Sequence, residues 1–314
     1  MSLRIDRLSD RRSFLKAALA GSAGACLSRA GLALAADNSL TTKALSDGVT
    51  LISGAGANVV VASGPEGVVM VDTGLPRHAS RILKLAASLS PARKIQAAFN
   101  TNWRPEHIGG NEALGKAGVE IYAHENTKLW MGADFYIEWK NETHKPVPKI
   151  ALPTDTFYTS GKMTLGKEAI EYAHLEQAST DGDIYVFFPE SNVLVVSDLL
   201  SVGTYPLVDY STGGWIRGVA KASKALMDIA DDKTLVIPAH GPVQSKADLK
   251  AQYEMCNTID GRIGDLMKQG KSVDEVIAAR PTKEFDASHG DPKLFLHLAY
   301  KGAWGHIREY RGVI

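Results

Sequence analysis

The sequence is short of three things, and each shortage closes a class of explanation. Cysteine is nearly absent: Cys26 and Cys256 are the two in 314 residues. Cys26 falls in a segment read below as a leader, which leaves one thiol and no route to an intramolecular disulfide. Cys256 sits in a helical pattern, where a lone thiol is a small core residue. An excess of one charge is also absent, because 35 basic side chains face 35 acidic ones. A nucleic-acid partner is therefore not expected, since it would need a clustered basic surface. Long apolar runs are missing too. The best candidate, Ala17 to Ala25, is too short and too rich in Gly and Ser for a stable membrane span.

What remains is a neutral chain with 45% hydrophobic residues, enough for a sizeable core. Its length fits one large α/β domain or two small ones. The start reads as an export signal. Arg11-Arg12 precede Ser13-Phe14-Leu15-Lys16, the mildly apolar run follows, and Ala33-Leu34-Ala35 offers a small-residue cleavage pattern. Residues 1–36 are accordingly expected to be a twin-arginine signal peptide, cleaved near Ala35-Ala36. That expectation carries a periplasmic location and the twin-arginine export machinery as a partner. The route exports folded proteins, so a metal could be loaded before export.

Beyond the leader, β-like runs come first: 48-GVTLISG, 58-NVVVASG and 67-GVVMVDTG, rich in Val and Ile and punctuated by Gly. Residues 77–90 have helical spacing, with Ile82, Leu83, Ala86 and Leu89 on one side. A strand at 94–100 leads into the loop 99-FNTNWRPEHIGGNEAL-114. A helix over 111–116, a strand at 119–123 and a helix from Glu125 continue the alternation. The second half repeats it, with strands near 169–174, 183–188, 192–196 and 234–237 and a helix over 216–230. Helical patterns cover 245–270 and 292–311. Two similar halves of strands flanked by helices predict an α/β protein, a four-layer αββα sandwich forming one domain over 40–314. The polar, Pro-interrupted stretch 136–153 reads as a long loop able to roof a cleft.

Five pieces in order carry a resemblance: Val71-Asp72-Thr73-Gly74, the loop from Thr101 to Asn111, Thr180-Asp181-Gly182-Asp183, Ser197-Asp198-Leu199 and Pro238-Ala239-His240-Gly241-Pro242. Together they resemble the metallo-β-lactamase fold superfamily over nearly all of the chain beyond the leader. The resemblance implies the same αββα sandwich and hydrolysis by water bound to one or two zinc ions. It also exposes a departure. The family's loop reads Thr-His-x-His-x-Asp-His, and those positions here are Thr101, Asn102, Trp103, Arg104, Pro105, Glu106 and His107. A further family histidine falls on Ser179.

Sorted by metal, the losses fall on one side. Asn102, Arg104 and Ser179 replace the first-metal ligands, whereas Glu106, His107, Asp198 and His240 match the second-metal set. The resemblance thus implies one metal on those four residues. Zn²⁺ is the expected ion, with Fe²⁺ or Mn²⁺ as possible occupants. Arg104 would supply fixed positive charge in the vacated site and a donor to a developing oxyanion. Asp198 would accept a proton from water. The expected activity is hydrolysis of a small ester, lactone, thioester or amide-like substrate. The alternative is that Arg104 pairs with Asp198 or Glu106 and leaves a metal-free, non-catalytic binding protein. Asp72 is expected to orient a loop histidine from behind. Asn102 and Ser179 would fill space with hydrogen-bonding groups, and Trp103 with Tyr205, Tyr210 and Trp215 would either form an aromatic wall or pack in the core. His124 reads as local structure, and His174, in a strand pattern, as a core or surface histidine rather than a replacement ligand.

Overall fold

The computed structural model describes residues 40–311; the expected signal, residues 1–36, lies outside the described residues. In chain order the first sheet is built from β1 (Thr41–Ala44), β2 (Val49–Ala55), β3 (Ala57–Gly64), β4 (Gly67–Val71), β5 (Ile95–Phe99) and β6 (Glu120–His124). A small hairpin of β7 (Phe135–Ile137) and β8 (Glu142–His144) interrupts it before its last strand, β9 (Asp155–Phe157). The second sheet holds β10 (Ser160–Leu165), β11 (Glu168–His174), β12 (Ile184–Phe188), β13 (Val193–Ser197) and β14 (Leu235–Pro238), in that spatial order. Strands β4, β5, β6 and β9 run parallel, as do β13 and β14.

The helices are α1 (Ala79–Ser88), α2 (Pro105–Ile108), α3 (Asn111–Lys116), α4 (Glu125–Gly132), α5 (Ile216–Ile229), α6 (Lys246–Lys268), α7 (Val273–Ala279), α8 (Asp286–His289), α9 (Lys293–Gly305) and α10 (Ile307–Arg311). Period-two alternation decides how the layers stack. Along β4, Val69 and Val71 enter the core between the sheets, whereas Val68 and Met70 turn outward against α1. Phe99, Ile184, Val186, Phe188 and Val195 fill that middle layer from both sides. On the far face, Leu194 and Val196 pack with Val219, Leu226, Ile259 and Leu298 from α5, α6 and α9. Helix, sheet, sheet, helix is the αββα sandwich expected from the order of elements.

Besides β7 and β8, three strands of the two large sheets escaped the sequence pattern: β1 is fully exposed, while β9 and β10 carry few fully buried side chains. Without a buried face there is no alternation to read. The stretch 136–153 is less irregular than expected. It holds part of the β7–β8 hairpin and closes over Trp103, Ile108, Met131 and Ile137 as a small cluster of its own. Two strand ends at the same edge are held in unusual backbone. Asp72, just after β4, has φ +63°, and Ser197, closing β13, has φ +51°. Left-handed backbone at non-glycine residues is strained and persists only where surroundings enforce it. Both residues flank the candidate site.

Candidate functional site

The loop after β5 owes its shape to its own sequence. Arg104 is extended, Pro105 starts α2 and Glu106 lies in its first turn, the arrangement a proline at the first helical position favours. Gly109 packs so tightly that a Cβ there would lie 2.3 Å from the Pro76 nitrogen. The carbonyl of His107 is gripped by the Thr73 amide (2.9 Å), the Thr73 hydroxyl (3.0 Å) and the Asn100 side-chain amide (3.2 Å). His107 is thereby fixed before its ring makes any contact.

That ring bridges two acids. Nδ1 lies 2.8 Å from Asp72 Oδ2 and Nε2 lies 3.1 Å from Asp198 Oδ2. Burial alone would strip its proton, but Asp72 and Asp198 outweigh that and hold its pKa well above the ordinary histidine value. Asp72 also accepts the Thr101 amide at 2.8 Å and sits 3.2 Å from the Ser197 hydroxyl, which donates to it. Asp72 therefore stands behind His107.

The decisive atom is Asp198 Oδ2. It accepts from Arg104 Nη1 at 2.5 Å, from Asn102 Nδ2 at 2.9 Å and from His107 Nε2 at 3.1 Å. Burial pushes the Asp198 carboxyl up, but His107 and Arg104 carry it well below the usual carboxylate range. Arg104 is 2% exposed, and its remaining contacts are with the Ser179 hydroxyl and carbonyl, each at 3.4 Å. Ser179 in turn donates to Asp183 at 3.1 Å. Burial raises Asp183 to about 6, against the pull of Arg104 and the Thr180 amide.

The expected metal quartet is only half assembled. His107 and Asp198 meet, whereas Glu106 is half-buried on α2 and His240 is exposed. Neither makes a hydrogen bond to the other two among the described residues. More generally, no group of three or more His, Cys, Asp or Glu side chains among the described residues is arranged to hold a metal ion. The donor chemistry explains why. A carboxylate oxygen accepting three N–H groups has no lone pair to offer, and an imidazole bonded to acids at both nitrogens has no ligating edge. These residues do not fit the family's ion, and the one-metal assignment to Glu106, His107, Asp198 and His240 is corrected on that ground. The oxyanion role for Arg104 is corrected as well, because the guanidinium is spent on Asp198 and Ser179.

Asn102 donates to Asp198, and the Ser179 hydroxyl accepts from Arg104. Trp103 and Tyr205 do not make an aromatic wall. The Trp103 ring turns into the small cluster beneath the 136–153 stretch, edge-on to Phe135 and His144, and donates to Thr212. Tyr205 stacks on Phe295 and donates to Asp286, away from Arg104. One residue went unread: Asp209, 1% exposed, which accepts from Trp139 and the Ser211 amide through Oδ1 while Oδ2 has no hydrogen-bond partner among the described residues. Its field, with those of Asp198, Asp183 and Glu106, holds the charge on Arg104. The signal was the single acid inside 203-GTYPLVDYSTGGW-215, hidden by the aromatics around it.

An αββα sandwich with its acids and histidine gathered at the strand ends along one edge defines a class. The chain belongs to the metallo-beta-lactamase superfamily, whose family profile matches residues 53–250. A linear primary-alkylsulfatase from Pseudomonas sp. is 25% identical over 292 residues, covering 80% of this chain and 52% of the relative. The chain thus spans about half the length of that curated relative. Among solved structures, the inverting sec-alkylsulfatase Pisa1 from Pseudomonas sp. aligns with TM-score 0.64 at 18% identity, over 88% of this chain and 51% of that one. A metallo-beta-lactamase from Pontibacter korlensis aligns with TM-score 0.56 at 18% identity, over 70% of this chain and 99% of that one. At such identity these structures support the fold alone.

Proposed function

We propose that this chain is a metal-independent, non-catalytic member of its superfamily, exported to the periplasm, which binds a small molecule rather than turning it over. One observation carries the reading: three nitrogen donors converge on Asp198 Oδ2, with the Arg104 guanidinium closest at 2.5 Å. A buried guanidinium–carboxylate contact satisfies both charges without an ion. Among the described residues no helix is long and apolar enough to cross a membrane. The twin-arginine leader remains the basis for the location.

The rival is the superfamily's hydrolytic chemistry, with one Zn²⁺ on Glu106, His107, Asp198 and His240 acting on a small ester, lactone, thioester or amide-like substrate. The likeness to alkylsulfatases adds sulfate esters to the compounds worth offering. Metal analysis of the chain folded in the cytoplasm, purified without chelators or added zinc, separates the two. We expect well below one equivalent of Zn, Fe and Mn, and no turnover of esters, lactones, thioesters, β-lactams or sulfate esters. About one equivalent of metal, abolished by both Asp198→Ala and His240→Ala, would overturn the proposal.

A further inference from the structure

A second cavity system lies beyond the loop that follows Asp198. One cavity of about 340 Å³ and another of about 400 Å³ share Gly203 and His289, so they form one groove between residues 200–207, α6 and the segment joining α8 to α9. That size falls in the range of small-molecule sites, roughly 300–1,000 Å³. The walls are mainly apolar: Val202, Met255 and Phe285 at one end, Leu294, Phe295 and Leu298 at the other. Leu294 is 50% exposed, which leaves apolar surface open to water.

The groove is also stiff. Tyr205 stacks on Phe295 with ring centroids 4.8 Å apart and 9° between planes, and its hydroxyl is tied to Asp286 at 2.9 Å. On its other side His289 packs at 5.1 Å. His289 Nδ1 is engaged by Ser288 and by the Phe285 carbonyl, while Nε2 has no hydrogen-bond partner among the described residues. A wall set in advance spares a ligand part of the ordering cost of binding.

Charge selects the ligand. Asp248, Glu254 and Asp291 line the groove, and no lysine or arginine does. Lys250 reaches Glu254 at 3.8 Å, but both side chains are more than 60% exposed, so the pair is weak and screened. An apolar trough ringed by acids opposes an anionic amphiphile and favours a cationic one.

We propose that this groove binds an elongated apolar molecule bearing a positively charged amine, at a site independent of Arg104. Calorimetric titration of the full chain with dodecylamine, kept below its micelle concentration, tests it against dodecanoate of equal length. Saturable binding of the amine at least tenfold tighter than of the carboxylate is expected. Ala251→Trp, at an exposed helix position lining the groove, should abolish it by filling the trough. Glu254→Lys with Asp291→Lys, both on the surface, should reverse the preference even if the tryptophan variant folds poorly. The amine affinity should be the same before and after dialysis of the chain against a chelator, which separates this result from the fate of the metal-independent reading. Equal affinity for the two probes, preference for dodecanoate, or full binding by a folded Ala251→Trp would overturn the proposal. So would a dimer in sedimentation that Ala251→Trp dissociates, because the groove would then belong to a second copy.

Discussion

Two halves of one expected ligand set behave in opposite ways. His107 and Asp198 are buried or nearly so and share a hydrogen bond, while Glu106 and His240 stand at the rim without joining them. All four occupy positions matching the family's motifs, and the backbone delivers all four to the same edge. What separates them is the neighbour each side chain meets. Arg104 and Asn102 reach Asp198 and use its Oδ2, and nothing equivalent draws Glu106 or His240 inward. Motif spacing specifies where side chains start; the final arrangement depends on which opposite charge is nearest once water is gone.

The comparison breaks most visibly through Asp198. Asp198→Ala removes the ion-pair partner of Arg104 and one partner of His107, leaving a buried guanidinium hydrogen-bonded through Ser179 and only in the more distant field of Asp209, Asp183 and Glu106. Breaking a buried pair in this way costs about 3–5 kcal/mol. Glu106→Ala and His240→Ala, at the rim, should each stay within about 0.5 kcal/mol of the parent. Urea unfolding at neutral pH measures all three. Equal losses across the set would mean that the rim residues are engaged with the inner pair after all.

A gain-of-metal experiment sharpens the same contrast. Zinc should leave the melting temperature of the parent chain unchanged. The triple substitution Asn102→His, Arg104→His, Ser179→His removes two of the three donors on Asp198 Oδ2 and returns three imidazoles to the vacated pocket. If that scaffold survives, zinc at 100 times its Kd should stabilise the triple variant by about 2.7 kcal/mol. A parent chain that gains as much would show that Arg104 yields to an ion.

The fold was legible because its signals are local. The Val-rich runs of β2, β3 and β4, the strand entering the loop and the long helix α6 all announce their period in sequence. The site was legible in its membership and illegible in its wiring. Asp72, His107 and Asp198 could be named from motifs, yet no pattern says whether Arg104 points into open space or onto a carboxylate. Asp209 was missed for a related reason. Its importance comes from burial beside Arg104, and burial in a Gly-rich loop leaves no periodic trace.

Protons offer the finest version of the contrast, because the histidines of the two regions are shifted in opposite directions. His107 lies between two acids and is held protonated. His124, closing β6, and His174, closing β11, stack at 3.7 Å with 11° between rings and tie the two sheets together. Burial lowers both, His124 from 6.5 to about 4, with the neighbouring imidazole adding to its shift. His124 also accepts the Asn126 amide through Nδ1, which caps α4 only while that nitrogen is unprotonated. The signs follow from linkage. Unfolded chains bind more protons than folded ones at His124 and His174, so that stability is full above about pH 6.5 and is lost as the pH falls, for His124 towards about 4. At His107 the folded chain holds the extra proton, so its contribution is present below pH 6.5 and disappears only in alkali, as the pH rises through its elevated pKa. His124→Asn keeps a short side-chain acceptor at the helix start and removes one titrating ring. It should flatten the acid limb by on the order of 1–2 kcal/mol between pH 6.5 and 4 while leaving the alkaline limb as it was. Unfolding free energies measured across pH 4 to 10 test this, and an acid limb unchanged in the variant would place the titrating group elsewhere.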